Sequence, residues 1–249
     1  MQFNEAQIQA IQHNTGPCMV IAGPGSGKTT VLTHRVRYLI ERYGVNPSDI
    51  LVITFTKAAA EQMKLKFKGL SEGRNSAVTF GTFHAVFFTI LKAAYNYSAH
   101  CIIKPQIQHE FVKDQMCRLE LEYDDENEAV AGVLSEISCV KGEDVNIDEY
   151  ESRCIPPQSF RIMYRAYDDM LVRKHLIDFD DMIVQCRELL MQREDYRRAW
   201  QNKYKYILID EFQDINKAQF DVVRILADEY RNLFVVGDDD QSKIGRAHV

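Results

Sequence analysis

Residues 22–29, with the sequence AGPGSGKT, constrain the fold of this chain more than any other stretch. Three glycines, a lysine and a hydroxyl residue lie between the apolar run Cys18–Ile21 and a segment with apolar residues at helical spacing. Glycine can adopt backbone conformations closed to other residues, so consecutive N–H groups can converge on the phosphates of a nucleotide. A strand, this loop and a helix in that order therefore predict a phosphate-binding loop.

The two residues that follow the last glycine have separate predicted roles. Lys28 would reach the β and γ phosphates, and the hydroxyl of Thr29 would bind Mg²⁺. The helix that begins there adds the positive end of its dipole. The usual pattern starts with glycine, but Ala22 ends the strand here and needs no unusual backbone angle. The predicted nucleotide contacts in this segment are Ala22, Gly23, Pro24, Gly25, Ser26, Gly27, Lys28, Thr29 and Thr30.

Composition narrows the class of protein. The chain has 249 residues, 46% of them hydrophobic, which suits a globular protein with a real core. Its formal net charge of −6 argues against a generally basic nucleic-acid coat protein, so any nucleic-acid site would be local. Six cysteines without a CxxC pair predict reduced thiols in the cytoplasm, with no disulfide and no zinc. No leader-like or membrane-spanning run is present, so we expect no membrane partner.

Near the N-terminus, Gln7 has two possible roles. Asn4 and Gln7 fit the N-cap of a first helix and its reciprocal partner three residues on. The alternative is that the amide of Gln7, which offers a donor and an acceptor, contacts the edge of an adenine. From this residue alone, capping is the favoured interpretation.

Four later apolar runs are predicted strands that end in polar residues. They lie at 50–55, at about 77–80, at 206–209 and at 233–236. In an open α/β sheet, ligands gather at the carboxyl ends of the strands. These four ends are therefore the places where further site residues are expected.

The acids after the run at 206–209 complete the predicted ATPase site. Asp210 would hold Mg²⁺, and Glu211 would position or deprotonate a water. The alternative is a solvated acidic turn, which would be preferred without the upstream phosphate loop. After the run at 233–236, the amide of Gln241 could touch a γ-phosphate and report its hydrolysis.

The region from about 93 to 201 reads as an inserted helical subdomain. Its helical runs are predicted to break at Lys104-Pro105, Asp124-Asp125, Lys141-Gly142 and Pro156-Pro157. A stripe at helical spacing predicts core rather than a binding face: Phe160, Met163, Tyr164, Tyr167 and Leu171. The acids at 178–181 suggest a metal cluster at first, but Asp178 as the cap of a helix is the preferred interpretation.

Several motifs in a fixed order resemble those of the UvrD/Rep/PcrA-type superfamily 1 DNA helicases. They are AGPGSGKT, TFTKAAAEQM, GTFH, DEFQD and VGDDDQS, and the match spans residues 3–242. The resemblance implies an α/β fold, with a RecA-like parallel sheet, helices on both faces and an inserted all-helical subdomain. It also implies that ATP and Mg²⁺ are the cofactors.

The resemblance assigns roles to individual residues. Gln7 would contact adenine, Lys28 and Thr29 would bind phosphate and Mg²⁺, Asp210 would bind Mg²⁺, Glu211 would be the catalytic base and Gln241 the γ-phosphate sensor. Contacts with single-stranded DNA are implied at Phe55, Thr56, Lys57, Thr82, Phe83 and His84, since aromatic faces stack on bases of any sequence. From the residues alone, burial in the core is preferred for Phe55 and Phe83. Thr30 stands where relatives often have an arginine.

The predicted organisation is a RecA-like ATPase domain in two parts, 1–92 and 202–242, around the insert at 93–201. Residues 243–249 do not continue the last motif and are interpreted as a non-native tail. A second RecA-like domain of the same protein, which would supply arginine fingers, is an expected partner.

Three functions remain open at this point. The first is a DNA helicase that moves 3′ to 5′ along single-stranded DNA, or on a duplex with a single-stranded tail, with this chain as its N-terminal part. The second is a non-catalytic, nucleotide-dependent DNA-binding or regulatory module. The third is a P-loop ATPase that acts on protein partners.

Overall fold

One parallel sheet of five strands lies within residues 2–71 and 77–238, the part of the chain that the computed structural model describes. The strands are β1 (Cys18–Ile21), β2 (Ile50–Thr54), β3 (Thr79–Thr82), β4 (Tyr206–Ile209) and β5 (Leu233–Gly237). Their order across the sheet is β1-β5-β4-β2-β3. Because every pair is parallel, the carboxyl ends of all five strands meet at one edge.

Ten α-helices lie in the same described ranges. They are α1 (Glu5–Gln12), α2 (Lys28–Tyr43), α3 (Lys57–Leu70), α4 (Phe83–Ala94), α5 (Pro105–Arg118), α6 (Glu126–Glu143), α7 (Pro157–Lys174), α8 (Phe179–Gln192), α9 (Glu194–Lys203) and α10 (Lys217–Ala227). Between β3 and β4 the chain is helical, apart from an isolated bridge that pairs Ile102 with Ile177. The predicted α/β fold with a helical insertion is confirmed.

The described residues divide into two compact units. The sheet unit contains the described residues of Met1–Val86, Leu189–Ile215 and Phe220–Val249. The helical unit contains Phe87–Glu188 and Asn216–Gln219.

The core of the sheet unit explains why its strands are apolar without alternation. All five residues of β2 are buried, as expected for a central strand of a parallel sheet with both faces covered. The core joins β2, β4 and β5 to one face each of α1, α2 and α3, with Leu32, Met63 and Leu208 among its buried members. This packing fixes the strand ends that carry the candidate site.

The helical unit has its own core, built from α5, α6 and α7. Four members of the stripe predicted as core are buried there, namely Phe160, Met163, Tyr167 and Leu171, and Tyr164 packs against them half-buried. The core interpretation of this stripe is confirmed.

Asp178 caps α8, as predicted, because its Oδ1 accepts a hydrogen bond of 2.6 Å from the backbone N–H of Asp181. Its second partner, a lysine, was not predicted. Lys141 of α6 is 4% exposed and lies 3.0 Å from Asp178, 2.7 Å from Asp181 and 3.0 Å from Asp168. We call these four residues the Lys141 cluster; it ties α6 and α7 to the start of α8.

Two predicted boundaries are wrong. The third strand is Thr79–Thr82 rather than 77–80, because Gly81 and Thr82 pair with Ile53 and Thr54 in the parallel ladder. The predicted break at Lys141-Gly142 is also wrong, since α6 continues to Glu143. A Cβ at Gly142 would meet the side chain of Asn216 at 2.8 Å, so this glycine permits a close approach rather than ending the helix.

Candidate nucleotide and DNA site

The phosphate loop joins β1 to α2, with Gly27 at the N-cap of the helix. Gly27 has φ of +85°, a left-handed backbone conformation that residues other than glycine rarely adopt. Its carbonyl accepts the first helical hydrogen bond, from Val31, at 2.9 Å. Because the cap is a glycine, no side chain of its own satisfies the first N–H groups of α2, which point to where an anion binds.

Gln7 both caps α1 and contacts the loop. Its Oε1 accepts from the N–H of Asn4 at 3.0 Å, and its own N–H donates to Asn4 Oδ1 at 2.8 Å, so the predicted capping box is confirmed. Its Nε2 also donates to the carbonyl of Ser26 at 3.0 Å. The amide therefore ties the start of α1 to the phosphate loop, and Nε2 and Oε1 each make one side-chain hydrogen bond among the described residues, out of the two that each can make.

Asp210 directly follows β4 and is buried. Its backbone N–H donates to the carbonyl of Ile53 at 3.0 Å, which fixes the carboxylate at the edge of the sheet. Burial, and then the neighbouring Glu211, raise the pKa of Asp210 to about 6, while a hydrogen bond from the Thr29 side chain opposes that rise. The two predicted Mg²⁺ ligands, Thr29 and Asp210, thus lie in contact although 181 positions separate them.

Lys28 lies among carboxylates at the same edge. Its side chain is 10% exposed, and Nζ is 3.6 Å from Glu211 Oε2 and 3.5 Å from Asp238 Oδ2. Glu211 has φ of +54°, a left-handed conformation that strains a residue with a side chain. That turn separates the Glu211 side chain from the more deeply buried Asp210, so the two neighbouring carboxylates have different surroundings.

Sequence reasoning assigned no role to Gln213 or to Asp238, although both lie in quoted motifs. The Nε2 of Gln213 donates to Glu211 Oε2 at 2.8 Å, and its Oε1 accepts from the N–H of Asp238 at 3.0 Å. This amide joins the residues after β4 to those after β5. The position of Asp238 at a strand end was an available indication, but the bridge made by Gln213 is tertiary and left no trace in the spacing.

The predicted sensor Gln241 lies outside the described residues. Residues 243–249, which were interpreted as a tail, lie outside them too. Within the described ranges, no group of three or more His, Cys, Asp and Glu side chains is placed to hold a metal ion. Two protein ligands, here a hydroxyl and a carboxylate, are an ordinary complement for Mg²⁺, which keeps several waters and phosphate oxygens.

The predicted DNA contacts lie at the carboxyl ends of β2 and β3, which are adjacent strands. Thr56 Oγ1 accepts from the N–H of Ala59 at 3.1 Å, and Thr82 Oγ1 accepts from the N–H of Ala85 at 3.2 Å. These hydroxyls therefore lie at the start of α3 and of α4. Two neighbouring helix N-termini favour negative charge at this place.

The aromatic and basic residues of this segment differ in exposure. Phe83 is buried, and its ring meets the half-buried ring of Phe55 edge-on, with 5.4 Å between the centroids. The side chain of Lys57 is largely exposed. Burial lowers the pKa of His84, so its imidazole is neutral at pH 7.

Comparison with known proteins places these observations in a family. The family model of the UvrD/REP helicase N-terminal domain matches residues 3–243. The chain is 34% identical over 255 residues to the ATP-dependent DNA helicase PcrA of Staphylococcus epidermidis, and 33% identical over 252 residues to that of Staphylococcus aureus. Each match covers 98% of this chain and 34% of the relative.

The chain thus spans about a third of the length of the curated relatives it matches. No helix in the described part of the chain is both long and apolar enough to cross a membrane. The matched family model covers nearly all of the sequence, and the motifs that carried the resemblance lie within it. This chain belongs to the UvrD/REP helicase family, in which it corresponds to the N-terminal domain.

Proposed function

We propose that this chain is the ATP-binding part of an ATP-dependent DNA helicase that moves 3′ to 5′ along single-stranded DNA. One observation carries the proposal: Lys28, the Thr29–Asp210 pair and Glu211 converge at the carboxyl edge of the sheet unit. The relatives' names and the family membership support the same activity. The protein would act in the cytoplasm.

The residues at this edge fit Mg-ATP. Gly27 in its left-handed conformation frees the first N–H groups of α2 for phosphate oxygens, as in other phosphate loops. Lys28 would donate to the β and γ phosphates, and Thr29 and Asp210 would hold Mg²⁺. When bound, Mg-ATP supplies a γ-phosphoryl group whose transfer to water releases free energy. Gln7 would contact the adenine through the donor and acceptor that its capping bonds leave.

Glu211 is proposed as the general base. It would orient a water and take its proton, and the hydrogen bond from Gln213 would keep its carboxylate in place. Lys28, 3.6 Å from that carboxylate, would stabilise the charge that develops on the phosphate oxygens. Gln241 would contact the γ-phosphate and report its loss.

The DNA strand would cross the ends of β2 and β3. Backbone phosphates would meet the N-termini of α3 and α4, the hydroxyls of Thr56 and Thr82, and the ammonium of Lys57. Phe55 would stack on a base, with Phe83 supporting its ring from the core, and His84 would lie beside the strand. The substrate would be single-stranded DNA or a duplex with a single-stranded tail.

A second RecA-like domain of the same protein is the proposed partner. In this arrangement residues 1–92 and 202–242 form the first RecA-like domain and 93–201 its insert. An arginine finger from a partner accelerates P-loop hydrolysis by roughly 10³ to 10⁵. Residues 1–242 alone should therefore bind Mg-ATP but hydrolyse it slowly and unwind no duplex.

Substitution of the proposed base tests the catalytic assignment. In the complete gene product, Glu211→Gln should keep Mg-ATP binding and lower DNA-stimulated turnover by roughly 10² to 10⁴, the usual worth of a general base. Glu229→Gln is the matched control, because Glu229 is exposed and precedes β5 at the opposite edge of the sheet. Parent-level turnover by Glu211→Gln, with the control unchanged, would rule Glu211 out as the base.

A truncation tests the partner. DNA-stimulated ATP turnover and strand separation are measured for residues 1–242 and for the complete gene product at equal concentration. We expect Mg-ATP binding by both and fast turnover by the complete product alone. Comparable turnover by residues 1–242 would mean that no second domain is needed for the chemistry.

A further inference from the structure

Helix α1, which carries Gln7, is held to the sheet unit by a few discrete contacts. Only Ala10 and Ile11 of its eight residues are buried. A groove of about 230 Å³ separates the outer faces of α1 and α2, with Ile8, His34 and Tyr38 among its lining residues. Beyond the two residues that join the core, α1 is little packed, so individual hydrogen bonds contribute to fixing its position.

Arg35 of α2 supplies two of these contacts. Its residue surface is 2% exposed, and its Nη1 donates to the carbonyl of Ala10 at 3.2 Å and to that of His13. Both carbonyls lie at the C-terminal end of α1, where the last carbonyls of a helix have no partner within the helix. A cation there is also favoured by the helix dipole.

The rest of the guanidinium is held against the sheet. Its carbon lies 4.3 Å from the centroid of the Phe234 ring on β5. Burial lowers the pKa of Arg35 to about 10, so the group stays charged at neutral pH. Its Nε is a buried donor without an acceptor among the described residues, which destabilises the folded state.

The opposite end of α1 reaches the phosphate loop. There the Nε2 of Gln7 donates to the carbonyl of Ser26 at 3.0 Å. Because a helix transmits displacement along its axis, a shift at His13 moves Gln7 relative to the loop. Arg35 itself is buried away from solvent and cannot touch a nucleotide.

We propose that Arg35 is a positioning residue that fixes α1 on α2 and so holds the Gln7 amide where it binds the nucleotide base. This inference rests on the proposed contact between Gln7 and adenine. It separates two parts of nucleotide affinity. The phosphates depend on the loop and on Lys28, whereas the base depends on where α1 lies.

The test compares Mg-ATP with magnesium tripolyphosphate, which has the phosphates and no base, as ligands of the 249-residue chain. Titration calorimetry gives both affinities for the parent, Gln7→Ala, Arg35→Lys and the double variant. Lysine keeps the charge but cannot donate to two carbonyls while lying flat on Phe234. Arg35→Lys and Gln7→Ala should each weaken Mg-ATP binding by about tenfold and leave tripolyphosphate binding unchanged.

The double variant should bind Mg-ATP as the single variants do, because both substitutions remove the same base contact. Val36→Ala is the matched control: Val36 is a fully buried neighbour on α2 whose truncation lowers stability without removing a bond to α1. It should lower the melting temperature and keep the parent ratio of the two affinities.

Two outcomes are separable. If Gln7→Ala leaves the ratio of the two affinities unchanged, the proposed adenine contact is wrong. If Gln7→Ala changes the ratio and Arg35→Lys does not, or weakens both ligands equally, only the role of Arg35 is overturned. Should Arg35→Lys fail to fold, Arg35→Gln is measured in its place, because it removes the charge and shortens the side chain, and an unchanged ratio there overturns the inference.

Discussion

Two lysines, one in each unit, lie among carboxylates, and they differ in how closely the carboxylates approach. Lys141 has three carboxylate partners at 2.7 to 3.0 Å, and its ammonium donates hydrogen bonds to two of them, Asp178 and Asp181. Lys28 has two partners at 3.5 and 3.6 Å, beyond the usual length of a charged hydrogen bond. The first ammonium is held closely by carboxylates of the protein, whereas the second is held by long ion pairs only.

This difference separates a structural lysine from one that we propose binds a ligand. The pKa of Lys141 is lowered by burial but raised still more by its three carboxylates, to well above its ordinary value. All three of its short ion pairs lie within the helical unit. Glu211 and Asp238 lie close enough to hold Lys28 in position, but too far away to form short hydrogen bonds with its ammonium. A ligand with several anionic oxygens can replace those long ion pairs.

Breaking the Lys141 cluster should have the largest effect on stability. Lys141→Met leaves buried carboxylates without their cation, and removal of one partner of a buried pair costs roughly 3 to 5 kcal/mol. Lys205→Met is the matched control, because Lys205 lies 2.9 Å from Asp49 in a more exposed pair, which solvent screens and whose removal should cost far less. Denaturant unfolding measures both. Equal decreases in unfolding free energy for the two variants would contradict the distinction between the lysines.

Removal of Lys28 should have the opposite balance of effects, with a large loss of ligand binding and a small loss of stability. Lys28→Ala should weaken Mg-ATP binding about a hundredfold, since charged hydrogen bonds to two phosphates disappear. Its unfolding free energy should fall by less than that of Lys141→Met, because both ion pairs of Lys28 within the protein are long. Titration calorimetry and denaturant unfolding on the same samples give both numbers. A folded variant with parent affinity would refute the assignment of the phosphate loop.

The pH dependence should give the smallest effect. Burial and the neighbouring Asp178 raise the pKa of Asp181, with Lys141 opposing that rise. The folded state then holds the proton more tightly than the unfolded chain, so the unfolding free energy falls as the pH rises above about 4. Without the opposing charge, Lys141→Met should lose stability more steeply between pH 4 and 8 than the parent does. Parallel curves from denaturant unfolding would contradict this electrostatic account.

The strands next to the site were predictable because local residues determine them. β1 and β4 lie where predicted, since each is a short apolar run ended by a turn residue or an acid. β3 was misplaced by two residues because its limits follow from pairing with β2, which sequence spacing does not record. Gly142 was misread for a similar reason, since its role depends on Asn216, a residue 74 positions away.

The candidate site also contains residues that could be predicted from the sequence and residues that could not. Lys28, Thr29, Asp210 and Glu211 were predictable because each occupies a fixed place after a strand, and such places converge in any parallel sheet. The residues that contact these four and hold them in place were not predictable. Asp238 beside Lys28 and Arg35 behind α1 depend on contacts between residues far apart in the sequence. Gln213 is only two positions from Glu211, but its bridge to Asp238 is a contact of the same long-range kind.

The bridge made by Gln213 limits which amino acids position 213 can accept. The side chain there must donate to a carboxylate and accept from a backbone N–H at the same time. Glutamate offers acceptors only, lysine and arginine offer donors only, and asparagine has the right groups on a chain one carbon shorter. Glutamine combines that chemistry with that reach, so sequence variation at this position is expected to be narrow.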